Sequence, residues 1–195
     1  MVLKKDLELA FEIGNLRLIQ RSWTRFLMPN CANLADHHLR VIWISLILAR
    51  MEGAKDTEKI MKMALVHDLD ESRSVDVDYV SRQFAERKSE KAIDETLKGS
   101  SLEEFIESWK EYSAKESIEA KIVKDADTLD VDIELQEFEA MGNSIKKDWQ
   151  AHRKACFERL FTESARKFWL ELQEANPHDW HLNGSNRLTA GDWKK

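Results

Sequence analysis

Proline and cysteine are scarce in this sequence and glycine is sparse, with 2 Pro, 2 Cys and 6 Gly in 195 residues. So few helix breakers leave long stretches free to be helical, which favours an all-α fold over a sheet-and-turn architecture. The cysteines, Cys31 and Cys156, lie far apart and neither has a CxxC partner. That excludes a disulfide framework and a zinc ribbon, and it fits a reducing cytoplasm. An excess of positive charge is also missing: 30 Lys and Arg against 36 Asp and Glu leave a net charge of −6. The chain thus lacks the electrostatic footprint of a protein that binds nucleic acid or an anionic membrane surface. The longest apolar run, Val41 to Ala49, is too short to span a bilayer, and charged residues within Met1 to Glu8 interrupt any signal-peptide core. The protein is therefore expected to be neither exported nor membrane-spanning. There is no internal repeat and no low-complexity segment.

What is present is length and helical periodicity. A chain of 195 residues can bury a core without disulfide staples, and it divides into one domain over 1–175 and a polar tail over 176–195. Apolar spacing predicts an amphipathic helix over 3–20, then a loop to Asn33, which can cap a helix running to about Glu52. That second helix is apolar almost all round and should be central. Gly53 closes it, and Asp56 or Thr57 starts a third helix to about Asp70. Residues 71–79 read as a turn where a site should open, and 81–98 and 102–111 as solvated helices. A third core helix is expected over 114–141, then one helix or a broken pair over 145–175, stopped by Asn176-Pro177. The tail, with Trp180, Leu182 and Trp193, is expected to dock on the body or on a neighbouring subunit.

The most informative feature is His67-Asp68, set in the apolar run from Met61 to Leu69. Burying an imidazole beside a carboxylate costs several kcal/mol unless something compensates, and a divalent cation does so most economically. Two other apolar segments offer matching groups: Asp36-His37-His38 and Asp125-Ala126-Asp127. Helix phase alone leaves open whether His37 or His38, and Asp125 or Asp127, faces inward. Glu71, four residues after His67 and three after Asp68, points to the same surface and is well placed for acid–base work. A mixed nitrogen and oxygen shell suits Mn, Co, Fe, Ni or Zn better than Ca. Such an ion lowers the pKa of its water and polarises a phosphoryl oxygen.

The ordered set His37, His67-Asp68, Asp127 resembles the HD-domain metal-dependent phosphohydrolases, and within them the bacterial 5′-deoxynucleotidases and related HD-domain proteins. The resemblance runs from about residue 10 to 140. It is carried by Leu18-Ile19-Gln20-Arg21, Ala35-Asp36-His37, the stretch from Val66 to Asp76, and Ile122 to Asp127. It implies a single-domain helical bundle with one divalent ion (Mn, Co, Fe, Ni, Zn or Mg) in its core, held by His37, His67, Asp68 and Asp127. By the same resemblance His38 is a packed or surface neighbour and Asp125 is solvated or just outside the ligand set. Glu71 would position or activate water, Asp76 would hydrogen-bond the water or substrate, and Arg21, with Trp23 close by, would bind the substrate phosphate. A guanidinium is a planar fork for phosphate oxygens, which makes the Arg21 assignment sensible in itself. Family members also tend to form homodimers.

Two positions depart from the pattern. Deoxynucleotidase-type relatives place a tryptophan directly after the arginine, where it helps exclude a ribose 2′-hydroxyl, whereas here Ser22 precedes Trp23. They carry Gly before the second acid, whereas here Val75 precedes Asp76. The expected activity is hydrolysis of (deoxy)nucleoside 5′-monophosphates. The rivals are an HD-domain phosphodiesterase or nucleotide polyphosphate hydrolase, and a non-catalytic metal- and nucleotide-binding module. The charged run from Arg82 to Lys98 is expected to be a solvated face, His178 and His181 tail packing, and the tryptophans core or interface anchors.

Overall fold

A computed structural model of the chain describes residues 2–183 other than 27 and 29. Among these, all regular structure is helical apart from an isolated antiparallel bridge between Gln20 and Asn33. Helix α1 (Val2–Asn15) ends earlier than its periodicity predicts, because the chain tightens into a turn at Leu16–Leu18 and then pairs with the segment before the next helix. The Arg21 N–H donates to Ala32 O at 3.3 Å and the Leu34 N–H to Ile19 O at 2.8 Å. A second single-turn helix, Ser22–Phe26, lies inside the expected loop.

Helix α2 (Leu34–Glu52) has the expected ends: the Asn33 side chain accepts from the Asp36 N–H at 3.0 Å, and Gly53 closes it at φ 68°. Helix α3 (Thr57–Val66), capped by Asp56, stops four residues before the predicted Asp70. Residues 67–70 form a tight turn, with the Leu69 N–H on Val66 O at 3.1 Å and the Glu71 N–H on Asp68 O at 3.0 Å. Glu71 therefore begins a short helix, α4 (Glu71–Ser74), instead of ending a long one. Helix α5 (Ser89–Leu97) follows a turn at Ser81–Gln83, and α6 (Phe105–Ala114) is only partly solvated, since Ile106 and Tyr112 are buried. Ser117 caps the long α7 (Ile118–Ala140). The 145–175 stretch is three pieces: α8 (Ile145–Asp148), α9 (Gln150–Glu158) and α10 (Glu163–Glu174). Helix α11 (Asp179–Leu182) follows, with Trp180 exposed, His178 and His181 against each other and Trp193 outside the described residues.

Helices α2, α3 and α7 pack on one another with α6 and α10 around them. Their shared interior holds Val41, Ile44, Leu48, Ile60, Met63, Ile122 and Leu129. Each such burial is worth about 1.5–3 kcal/mol, and together they set the rotational phase of the three helices. That phase aims the polar groups at one end of the bundle. Helix α2 is central, yet Leu39, Trp43, Ile47 and Met51, four residues apart, form an exposed stripe. Its all-round apolarity thus reflects one uncovered face as well as the core.

Candidate metal centre and its cavity

His37 comes from the first turns of α2, His67 and Asp68 from the turn after α3, and Asp127 from the middle of α7. One ligand atom from each lies within 4.8 Å of all the others. Helix phase is settled in favour of His37 and Asp127. His38 is buried too, but its ring packs on His67 at 4.5 Å. Asp125 is not solvated: it is buried and accepts the Phe161 and Thr162 N–H groups at 2.9 and 2.8 Å and the Thr162 hydroxyl at 2.7 Å, ordering the entry to α10.

The hydrogen bonds around the two imidazoles test whether a cation fits. His67 Nδ1 is 2.8 Å from Ala64 O, and a carbonyl only accepts, so this nitrogen carries the proton. His37 Nδ1 donates to Asp130 at 2.6 Å. Neutral rings so fixed turn their bare Nε2 atoms toward each other, 3.1 Å apart. His37 Nε2 also lies 3.3 Å from Asp127 and 3.5 Å from Asp68, and His67 Nε2 lies 3.5 Å from Asp68. Four acceptors converging without a shared donor suit a divalent ion, and orienting bonds to the remote imidazole nitrogens are what metal-ligating histidines have. The electrostatics show how strongly the acidic donors draw positive charge to this point, whether a proton on His37 Nε2 or a cation. Burial and Arg21 oppose charge on His37, yet bonds to Asp127, Asp130 and Asp68 lift its pKa to about 10. Despite burial, the two imidazoles hold Asp68 far below the usual carboxylate range, and Lys124 with His37 does the same for Asp127.

The cluster opens into a cavity of about 540 Å³. Arg21 lines it, buried, with Nη1 3.4 Å from Asp68 and Nε 3.6 Å from Asp76. Asp76 also accepts the Ser22 N–H at 2.9 Å and the Ser22 hydroxyl at 3.1 Å. Ser22 thus ties the Asp76 loop to the arginine's own turn. Val75 adopts φ 55°, ψ 159°, a conformation nearly reserved for glycine, so the turn keeps a glycine-like shape without the glycine and Asp76 stays in contact with Arg21. Trp23 lines the cavity while its ring packs on Trp149 at 5.1 Å.

Glu71 is buried with Oε1 accepting from Arg87 at 2.9 Å, and its Oε2 has no partner among the described residues. Burial, joined by Asp68 and Asp76, pushes this carboxyl up to about 9 against the pull of Arg21 and Arg87. A cation among the donors would offset those acidic charges and bring it down.

Three contributors were missed in the sequence. Arg87 belongs to the run expected to be a solvated face, yet it reaches Glu71 and lies 2.5 Å from Asp70. Nothing local signals that meeting, because the two sit 16 residues apart across an irregular segment. Lys124, 2.5 Å from Asp127, and Asp130, which also bonds Arg40, stand three residues either side of Asp127 on α7. Helical spacing from Asp127 would have found both.

The HD-domain family model matches residues 13–175. The 5′-deoxynucleotidase HDDC2 of Dictyostelium discoideum is 29% identical over 168 residues, covering 80% of this chain and 85% of that protein. The protein of the same name from Danio rerio is 31% identical over 136 residues, covering 66% and 67%. A conserved hypothetical protein from Pyrococcus furiosus superposes with a TM-score of 0.74 at 27% identity, covering 87% of this chain and 99% of that one.

Proposed function

The chain belongs to the HD-domain family, and from that premise we propose that it is a metal-dependent phosphohydrolase that releases phosphate from (deoxy)nucleoside 5′-monophosphates. The observation that carries this reading is the convergence, in one cavity, of the four-donor cluster, the buried Arg21 and the bare oxygen of Glu71. The 5′-deoxynucleotidase relatives support the substrate class.

A divalent ion held by His37, His67, Asp68 and Asp127 would supply Lewis-acid polarisation of the phosphoryl group and a more acidic water. The donor set of two imidazoles and two carboxylates favours Mn, Co, Fe, Ni or Zn, with Mg the oxygen-preferring outlier. Arg21 presents its guanidinium edge to the phosphate oxygens, and Asp76 keeps that guanidinium in register through Nε. Glu71, steadied through Oε1 by Arg87, accepts a proton from the attacking water at Oε2. The water oxygen bonds to phosphorus as the bond to the nucleoside 5′-oxygen breaks; the departing oxygen takes a proton from solvent, to which Glu71 returns the one it accepted. Beside Arg21 stands the small Ser22, and Trp23 is engaged with Trp149, so ribo- and deoxyribonucleotides should turn over at comparable rates.

No helix among the described residues is long and apolar enough to cross a membrane. The free thiols of Cys31 and Cys156 support a reducing cytoplasm as the compartment. The exposed stripe of Leu39, Trp43 and Ile47 supports a homodimer through α2. We retain 1–175 as the catalytic domain and 176–195 as an appended tail.

The test is phosphate release from ribo- and deoxyribonucleoside 5′-monophosphates by metal-stripped protein resupplied with single divalent ions. Metal-dependent release is expected. Confirmed ion binding with no release from any monophosphate would overturn the reading and favour a phosphodiester or polyphosphate substrate, or a non-catalytic role.

A further inference from the structure

Beyond the phosphate end, the same cavity is walled by two aromatic rings to which the reaction assigns nothing. Tyr79 and His152 both line it, and both are solvent-exposed, Tyr79 by 50%. Their rings are nearly parallel, 27° apart, with centroids 6.1 Å from each other. Tyr79 is also stacked on Phe26, at 5.1 Å and 20°. Phe26 and His152 thus both lie nearly parallel to Tyr79, and half of the tyrosine remains exposed where it lines the cavity.

Polar ties next to each ring hold the pair in place. Beside Tyr79, the Asp78 carboxylate accepts the Val80 and Ser81 N–H groups at 2.8 and 3.0 Å and the Arg25 guanidinium at 2.8 Å. Beside His152, Arg153 donates twice to Asp132, at 2.8 and 2.6 Å, and once to Thr128 O at 2.8 Å, clamping α9 onto α7. Partial burial and the flanking cations Arg153 and Arg159 lower the His152 pKa, so its ring is a neutral aromatic at physiological pH. Two aromatic rings with exposed surface on the lining of a charged cavity are a place for a flat, weakly polar group to stack.

We propose that the Tyr79–His152 ring pair is the subsite on which the planar heterocycle of the substrate stacks, placing the nucleobase there while the phosphate lies at Arg21 and the metal donors. This deepens the nucleotidase reading and rests on it for the identity of the heterocycle. Purines, with more ring area, should gain more from the pair than pyrimidines.

The experiment compares the parent with Tyr79→Ala, His152→Ala and the ring-keeping Tyr79→Phe and His152→Phe, using a purine nucleoside 5′-monophosphate as substrate and inorganic phosphate as a base-free competitive inhibitor. Loss of one stacking face should raise KM by about 5- to 100-fold. The Phe variants should stay close to the parent, and the inhibition constant for phosphate should not move. If the phosphate constant rises in step with KM, or the Phe variants lose as much as the Ala variants, the rings merely brace the loop and the proposal fails. It fails equally if the Ala variants keep the parent's KM. A parent that hydrolyses no nucleotide would sink the nucleotidase reading, not the subsite. In that event, NMR line broadening of adenosine by the parent and by the double alanine variant decides: broadening lost in the variant supports the ring pair, and broadening retained overturns it.

Discussion

The two walls of the cavity hold their functional groups by different means. On one side His37, His67, Asp68 and Asp127 come from α2, α7 and the turn after α3, whose phases are locked by the apolar interior beneath them. On the other side Arg21, Asp76, Tyr79 and His152 come from connecting segments and the short α9, held by ties such as Ser22 to Asp76 and Arg153 to Asp132. A helix donor can move only if the core repacks, whereas a loop group moves when one hydrogen bond is lost. The helix wall therefore has the rigidity an ion demands, and the loop wall the adjustability a substrate needs.

The largest expected effect is on the helix wall. Asp127→Asn removes a donor charge and should lower turnover roughly a thousandfold or more together with bound metal, read by metal analysis beside phosphate release. Full metal content with full activity would remove Asp127 from the ligand set. On the loop wall Arg87→Gln should leave metal content intact and lower kcat by about 10- to 100-fold through a misplaced Glu71, with Arg87→Lys recovering part of it. Metal loss in Arg87→Gln would erase the distinction between the walls. One layer behind the donors, Asp130→Asn should weaken metal affinity by about 10- to 100-fold, measured by chelator competition, because the His37 ring loses its charged acceptor.

Two smaller effects concern the supports of the loop wall. Val75→Gly should stabilise the protein by about 1 kcal/mol, raising Tm by about 2–4 °C, because the backbone strain of a β-branched residue at positive φ outweighs the added chain entropy of glycine. An unchanged or lower Tm would show that the turn relaxes around valine. Glu12 joins α1 to Arg73, Ser72 and Thr96, and the Arg73 bond, opposed by burial and aided by Ser72, lowers its pKa from 4.5 to about 2. A depressed folded-state pKa means the stabilisation is present above the unfolded value and is lost as pH falls from about 4.5 toward 2. The parent should therefore lose Tm faster than Glu12→Gln over that window, and parallel curves would assign the acid sensitivity elsewhere.

Much of the helix wall was legible in the chain. Caps at Asn33 and Asp56 and the break at Gly53 act over three or four residues, so α2 and the start of α3 stand where spacing placed them, whereas α7 begins at Ile118, four residues after the expected 114, because α6 runs on to Ala114 and Ser117 caps the next helix. The errors fell where long-range pairing overrode local pattern. Helix α1 stops early because Ile19 and Arg21 bond the segment at 32–34, and α3 gives way at His67 to the turn that turns Asp68 and Glu71 to the cavity. Of the loop wall, the resemblance named Arg21 and Asp76, and the rest was not legible. Arg87 sits in a charge run that resembles a solvated surface, and Tyr79 and His152 are 73 residues apart with no shared motif.

By itself the sequence determined the helical class, the bounds of α2 and the residue types of the candidate metal donors, because periodicity, capping and the cost of burying His67-Asp68 act through neighbouring positions. Helix phase left His37 and His38 open and only the resemblance chose between them; tertiary structure alone decided that Val75 keeps a glycine-like turn, that Glu71 is gripped by Arg87, and that two distant rings wall one cavity. Those facts are distances between segments, and such distances are set by how α2, α3 and α7 pack.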